Sequence, residues 1–171
     1  MISFYDVDEK INQSSLKYLK SYIDEYIVTH RCCVEYPNCT HPKEQSDANL
    51  LNTNDVVISM VRDDLFNKLQ MFINDDVKEV SYFKCWSLKN KGTYKETWHT
   101  HILNENIKEV SFIMYLDDTK LGTEFDTENY YMITKPKKLK WLFFNSNILH
   151  QPKIGNQKED RYIIAGAIGV K

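Results

Sequence analysis

The chain has 171 residues and a formal net charge of −2, with a pI near 6.2. That length suits one domain with a substantial core, and the charge balance offers no global cationic surface for duplex nucleic acid or an anionic membrane, although it leaves room for a local basic groove. No apolar run approaches the roughly 20 residues of a membrane helix, and Met1-Ile2-Ser3-Phe4-Tyr5-Asp6 lacks the apolar centre of a signal peptide, so a cytoplasmic, intracellular protein is expected. Three of the four cysteines, Cys32, Cys33 and Cys39, crowd together, with Cys85 apart. This is poor spacing for a disulfide framework and fits a reducing compartment.

In chain order, residues 2–5 read as a short strand. From Ser14, taken as the cap, Leu16, Leu19, Ile23, Tyr26 and Ile27 recur at helical spacing to about Thr29. Residues 30–54 read as irregular. Cys32, Cys33, Cys39 and His41 could be imagined as a zinc knuckle, but the spacing matches no common finger and adjacent cysteines rarely share one metal. A loop near the mouth of a site is the expectation. Val56 to Met60 is a strand or a helix start, and Asp64 to Ile73 a helix with Leu65, Phe66, Leu69, Phe72 and Ile73 on one face.

From Val77 the period changes to two. Strands are expected over Val80–Leu88, Tyr94–His101, Val110–Leu116, Thr123–Asp126, Tyr130–Thr134, Leu139–Phe144 and Tyr162–Val170. Asn90-Lys91-Gly92 and Asn104-Glu105-Asn106 stand between them as turns. Many strands at regular spacing, after helices confined to the first half, suggest a sandwich or barrel with helices packed on one side.

The chemistry concentrates in Trp98-His99-Thr100-His101. Two histidines one residue apart on a strand share a face. A third, His150, lies well downstream, and Arg161 comes after it. Histidine is the commonest protein metal ligand, and imidazole suits iron, zinc, copper and nickel. Three such ligands would cover one side of a metal and leave the other open.

This order resembles the iron(II)/2-oxoglutarate-dependent oxygenases over roughly residues 80–170. Their signature is a His-x-Asp (or Glu) pair, then a distal His, then an Arg or Lys. His99-Thr100-His101 stands in the first position. Phe112-Ile113-Met114-Tyr115-Leu116 with Gly122-Thr123-Glu124-Phe125 after it is similar to the family's Tyr-Leu strand and its glycine-led continuation. Leu142-Phe143-Phe144-Asn145-Ser146-Asn147-Ile148-Leu149-His150-Gln151 is similar to the aromatic strand and turn that end on the distal histidine. Arg161-Tyr162-Ile163-Ile164 is similar to the strand that bears the arginine. Small family members, many from phages or bacteria, carry His-x-His after a Trp…Gly strand, as Trp86…Gly92…His99-Thr100-His101 does here.

The resemblance implies a mainly β (α+β) fold, a double-stranded β-helix or jelly roll. The chain 1–171 would be a single domain, with residues 1–76 a helical and loop support and residues 77–171 the core that carries the metal site. It implies an oxidoreductase, a dioxygenase using Fe(II), 2-oxoglutarate and O2, with hydroxylation of a protein side chain or an amino acid as the default reaction. No membrane or nucleic-acid partner is implied. His99 and His150 would bind iron, with His101 where the family has its carboxylate. Arg161 would bind the distal carboxylate of 2-oxoglutarate, and Tyr82, Trp86 or Tyr115 would line the cosubstrate pocket. Trp98 and Trp141 are expected in the core.

The histidine at 101 removes a negative charge. Either three imidazoles hold the metal, or a carboxylate such as Glu105 or Glu124 takes the third position. For Arg161 the competing reading is a surface ion pair with Glu159 or Asp160. The rival enzyme reading is a cupin, to which Gly92, His99, His101, Glu105 and His150 match loosely and in which Arg161 has no role. A reading of another class is a non-catalytic jelly-roll binding module.

Overall fold

The computed structural model describes residues 1–32, 44–74, 79–92, 97–102 and 107–171. Among them run a strand β1 (Ile2–Asp6), helices α1 (Gln13–Thr29) and α2 (Val56–Ile73), and strands β2 (Val80–Asn90), β3 (Lys108–Tyr115), β4 (Thr123–Asp126), β5 (Tyr131–Ile133), β6 (Lys140–Asn145), β7 (Leu149–Pro152) and β8 (Arg161–Val170). The larger sheet has the order β1-β6-β3-β8-β2 and the smaller β5-β4-β7, with antiparallel pairing throughout. The two sheets and their supporting helices form a double-stranded β-helix of mainly β class. No helix among the described residues is long and apolar enough to cross a membrane.

Period two explains the layering. One face of the larger sheet carries Cys85, Val110, Phe112, Met114, Trp141, Phe143, Ile164 and Ile168, which join Leu16, Leu19 and Ile23 of α1 and Ile58, Val61, Leu65, Leu69 and Phe72 of α2 in one apolar cluster. The alternate positions, Leu88, Ile113, Tyr115, Leu142, Phe144, Ile163 and Ala165, pack with Phe125 of β4 in a second cluster between the sheets. Central strand β3 is therefore buried on both faces and reads as the unbroken run Val110–Leu116.

One local expectation is corrected, and an open one is resolved. Helix α1 is capped by Asn12, not Ser14: its side chain accepts from the amides of Ser14 and Ser15, and its own amide donates to Ser15 Oγ. Ser14 sits inside the first turn, where its amide is one of the groups being capped. Val56 to Met60 is helix and runs unbroken into Asp64 to Ile73, with Asp55 capping its start through the amide of Ile58. Asn74 ends α2 in the left-handed conformation.

The first segment contributes more than helices. Strand β1 pairs with β6 from Ile2↔Phe144 to Asp6↔Lys140. Helix α2 is fixed to the same strand by Asp64, which accepts from the indole of buried Trp141 at 2.8 Å and from the amide of Asp8 at 3.1 Å. The expected strand Tyr94–His101 is represented among the described residues only by an isolated bridge at His99, and β7 appears where no strand was expected.

Candidate metal centre

Three histidines converge between the sheets. His150 lies on β7, and pairing of β7 with β4 sets His150 opposite Phe125. His99 extends the same small sheet by one residue pair: its amide donates to the His150 carbonyl and the His150 amide donates back, both at 3.0 Å. The amide of His101 donates to the Ser146 carbonyl at 3.0 Å. Ring centroids lie 4.4 Å (His99–His150), 4.9 Å (His99–His101) and 5.0 Å (His101–His150) apart. One ligand nitrogen from each ring falls within 4.8 Å of the other two. The rings would have to close further to give all three the roughly 2.1 Å bonds of a first-row ion.

The ring orientations suit that role. His99 Nδ1 is 2.8 Å from the Thr97 carbonyl and His150 Nδ1 is 2.9 Å from the Ile148 carbonyl. A carbonyl only accepts, so both Nδ1 atoms carry a proton, which in a neutral ring leaves Nε2 as the lone-pair nitrogen. Burial, aided by the neighbouring imidazoles, pushes His150 down to about 3 and His101 down to about 4. Both are therefore neutral near neutral pH, as a metal ligand must be. Trp86 packs against His101 at 5.6 Å, and Phe144 packs edge-on against His150 at 4.7 Å.

The histidines line a cavity of about 310 Å³. Its larger-sheet wall is Trp86 and Leu88 of β2, Ser111 and Ile113 of β3, Phe144 of β6 and Ile163, Ala165 and Ala167 of β8. Thr123 and Pro152 contribute from the smaller sheet, and Cys32, Gln45, Ser46 and Ala48 from the loop between the helices. That loop borders the site as expected, anchored by the bridges Gln45↔Leu88 and Asn49↔Cys85. The rest of the imagined zinc knuckle, Cys33, Cys39 and His41, lies outside the described residues, as does Glu105.

Glu124 is not at the histidines. It alternates with Thr123 and Phe125, so its side chain leaves the opposite face of β4, where Gln151 and Lys153 donate to it at 2.6 and 2.7 Å. Burial pushes its carboxyl up, but those bonds, with Tyr131, outweigh burial and hold it below the usual carboxylate value. Among the described residues, His99, His101 and His150 form the one cluster of side chains that could hold a metal ion.

Arg161 is buried, with 3 % of its surface exposed, and the surface ion pair with Glu159 or Asp160 does not form. Its Nη1 donates to the Leu121 carbonyl at 2.8 Å and its Nη2 to Asn90 Oδ1 at 3.4 Å. No carboxylate among the described residues pairs with it, and burial depresses its pKa. It shares the inward face of β8 with the cavity-lining Ile163, Ala165 and Ala167.

Tyr115 lies buried between the sheets on the same face of β3 as Ile113, its hydroxyl bonded to Thr123 Oγ1 at 2.6 Å, and burial raises its pKa; it is not among the cavity's lining residues. Tyr82 is elsewhere, its ring against Gly169 and its hydroxyl beside Glu109, and burial and that carboxylate push its pKa up; it is not among the cavity's lining residues. Trp141 is fully buried, whereas Trp98 is half-buried against Tyr131 at 6.1 Å, because the smaller sheet leaves its outer face open. Sequence reasoning took Asn90 only as a turn residue. Its Oδ1 does cap that turn through the Gly92 amide at 2.7 Å, but its contact with Arg161 depends on β2–β8 register, which no local pattern carries.

No protein-family model matches the sequence, and no curated protein matches it. Among solved structures, the fold is similar to that of the viral collagen prolyl hydroxylase vCPH from Paramecium Bursaria Chlorella virus-1, with TM-score 0.61 and 12% identity over 98% of this chain and 90% of that one. It is similar to HygX from Streptomyces hygroscopicus, solved with nickel and 2-oxoglutarate bound, with TM-score 0.63 and 11% identity over 97% of this chain and 82% of that one. It is also similar to SnoK, a non-heme alpha-ketoglutarate-dependent carbocyclase from nogalamycin biosynthesis, with TM-score 0.68 and 6% identity over 97% of this chain and 79% of that one. At these identities the likeness establishes the fold.

Proposed function

We propose that this chain is an iron(II)- and 2-oxoglutarate-dependent oxygenase that hydroxylates a protein side chain or an amino acid. The observation that carries the reading is two features found together between the sheets: three imidazoles grouped as one ion's ligands could be, two of them oriented by backbone carbonyls, and a buried arginine without a carboxylate partner among the described residues, one inward-facing row beyond the cavity-lining Leu88 and Ile163. The fold shared with vCPH, HygX and SnoK supports it.

The metal would be held by His99, His101 and His150. When bound, it supplies a Lewis-acid centre at which the 2-oxo acid end of 2-oxoglutarate and O2 can meet. The chain's own residues do the rest. The Thr97 and Ile148 carbonyls hold the ligand rings in the binding tautomer. Arg161 holds the far carboxylate of the cosubstrate. Trp86, Leu88, Ile113, Phe144 and Ile163 keep water from the reacting atoms. Three neutral ligands leave the ion's full charge to be met by its anionic cosubstrate, which favours tight coupling between metal and 2-oxoglutarate binding.

The test is an anaerobic titration of the metal-free protein with iron(II) and then 2-oxoglutarate, monitored by visible absorption. A band that appears only with both supports the oxygenase. Metal binding that does not respond to 2-oxoglutarate favours the cupin reading and makes Arg161 structural. Binding of neither favours the non-catalytic module.

A further inference from the structure

We propose that Asn90 is a second hydrogen-bond donor to the distal carboxylate of 2-oxoglutarate, acting beside the Nε edge of Arg161; the inference rests on reading this cavity as a 2-oxoglutarate site. Asn90 and Arg161 face each other across the β2–β8 ladder. Asn90 Oδ1 accepts from the Gly92 amide at 2.7 Å and from Arg161 Nη2 at 3.4 Å. Both partners can only donate, so the amide has one admissible orientation, with its oxygen towards them and its NH2 away. That Nδ2 is buried, and no acceptor meets it among the described residues. Arg161 Nε is in the same condition, while Leu121 and Asn90 occupy Nη1 and Nη2.

Buried donors in folded proteins are almost always satisfied. Two adjoining ones, one of them on a cation, ask for an acceptor with two oxygens and a negative charge. A carboxylate meets both, with one oxygen on Nε–H and the other on Nδ2–H. The position fits a dicarboxylate rooted at the histidines. The cavity reaches Leu88 and Ile163, which form the inward-facing pair next to Asn90↔Arg161 in the same ladder, roughly 7 Å along the strands. Arg161 thus presents its Nε edge to the ligand, and Asn90 sets the requirement for a distal group that only accepts.

The test uses the zinc-loaded, 15N-labelled full chain, with the Asn90 side-chain amide signals assigned by their loss in Asn90→Asp. Addition of 2-oxoglutarate should move one Asn90 amide proton downfield. 2-Oxopentanoate, which carries a methyl in place of the distal carboxylate, should leave both where they are. By calorimetry, Asn90→Ala should weaken 2-oxoglutarate about tenfold and leave 2-oxopentanoate unchanged. If the wild-type protein binds 2-oxoglutarate while the Asn90 amide signals stay still, the Asn90 assignment is overturned and the cosubstrate reading stands. If the wild-type protein does not bind 2-oxoglutarate, both fall. The amide shift is read on the wild-type protein, so it decides even where Asn90→Ala does not fold.

Discussion

His99 and His150 exchange both backbone hydrogen bonds, at 3.0 Å each way, and their rings stand 4.4 Å apart. The ladder of the smaller sheet therefore presets two of the three imidazoles before any metal arrives, which is the preorganisation a binding site needs. His150→Ala should weaken binding of iron(II) or cobalt(II) by about 100-fold or more, read by competition with a chelator. His101→Ala should do likewise. Unchanged affinity in the His101 variant would send the search for a third ligand to a carboxylate.

Arg161→Ala should cost about 1.5–3 kcal/mol of 2-oxoglutarate binding, tenfold or more in affinity, because a charge-assisted bond is lost. Metal affinity should be unchanged, since Arg161 is separated from the histidines by the Leu88–Ile163 row. Calorimetry on the metal-loaded protein checks it. A parallel loss of metal affinity would mean that the substitution disturbs the whole sheet.

The metal-free protein should lose stability in mild acid. Burial holds His150 near 3 and His101 near 4, below the value of about 6.5 in an unfolded chain. As pH falls below about 6.5, the unfolded state takes up protons that the native state refuses. Each histidine then removes up to about 1.4 kcal/mol per pH unit until its folded value is reached. The stabilisation is complete above about pH 6.5 and is lost towards pH 3–4. Denaturant unfolding near pH 7 and near pH 5 should show the difference, and His150→Gln should flatten it. Equal stability at the two pH values would mean that these rings titrate as exposed imidazoles do.

Capping gives a test of the fold's first half. Asn12→Ala should cost about 1 kcal/mol, because two amides lose their acceptor. Ser14→Ala should change stability by less than about 0.5 kcal/mol. Thermal unfolding of the two variants would separate them, and the reverse order would restore Ser14 as the cap.

Gly166 is a close-approach position. A Cβ there would stand 2.1 Å from the Lys84 carbonyl oxygen and 2.4 Å from Phe112 Cζ. The carbonyl is backbone and cannot step aside without loosening the β2–β8 ladder. Gly166→Ala should therefore destabilise by about 1–3 kcal/mol, measured by denaturant unfolding. A neutral result would show that Phe112 and β2 yield more easily than a packed sheet should.

The sequence by itself determined what is periodic. Alternation over β2, the unbroken apolar runs of β3 and β8 and the 3.6-residue spacing in α1 are local consequences of which way side chains point, and they sufficed for a helix-backed β fold. The residue types also nominated His99, His101 and His150, because few side chains can serve a metal, and the family resemblance added Arg161. Only the tertiary structure decided the rest. β7 is four residues long with only His150 fully buried, too short for a period to show. His99 gains its place from a single bridge to a residue distant in the chain. The side on which Glu124 emerges is set by β4 register, and the orphaned Nδ2 of Asn90 by its pairing with Arg161. Register and long-range pairing depend on free energy shared between segments far apart in sequence. No window along the chain contains them.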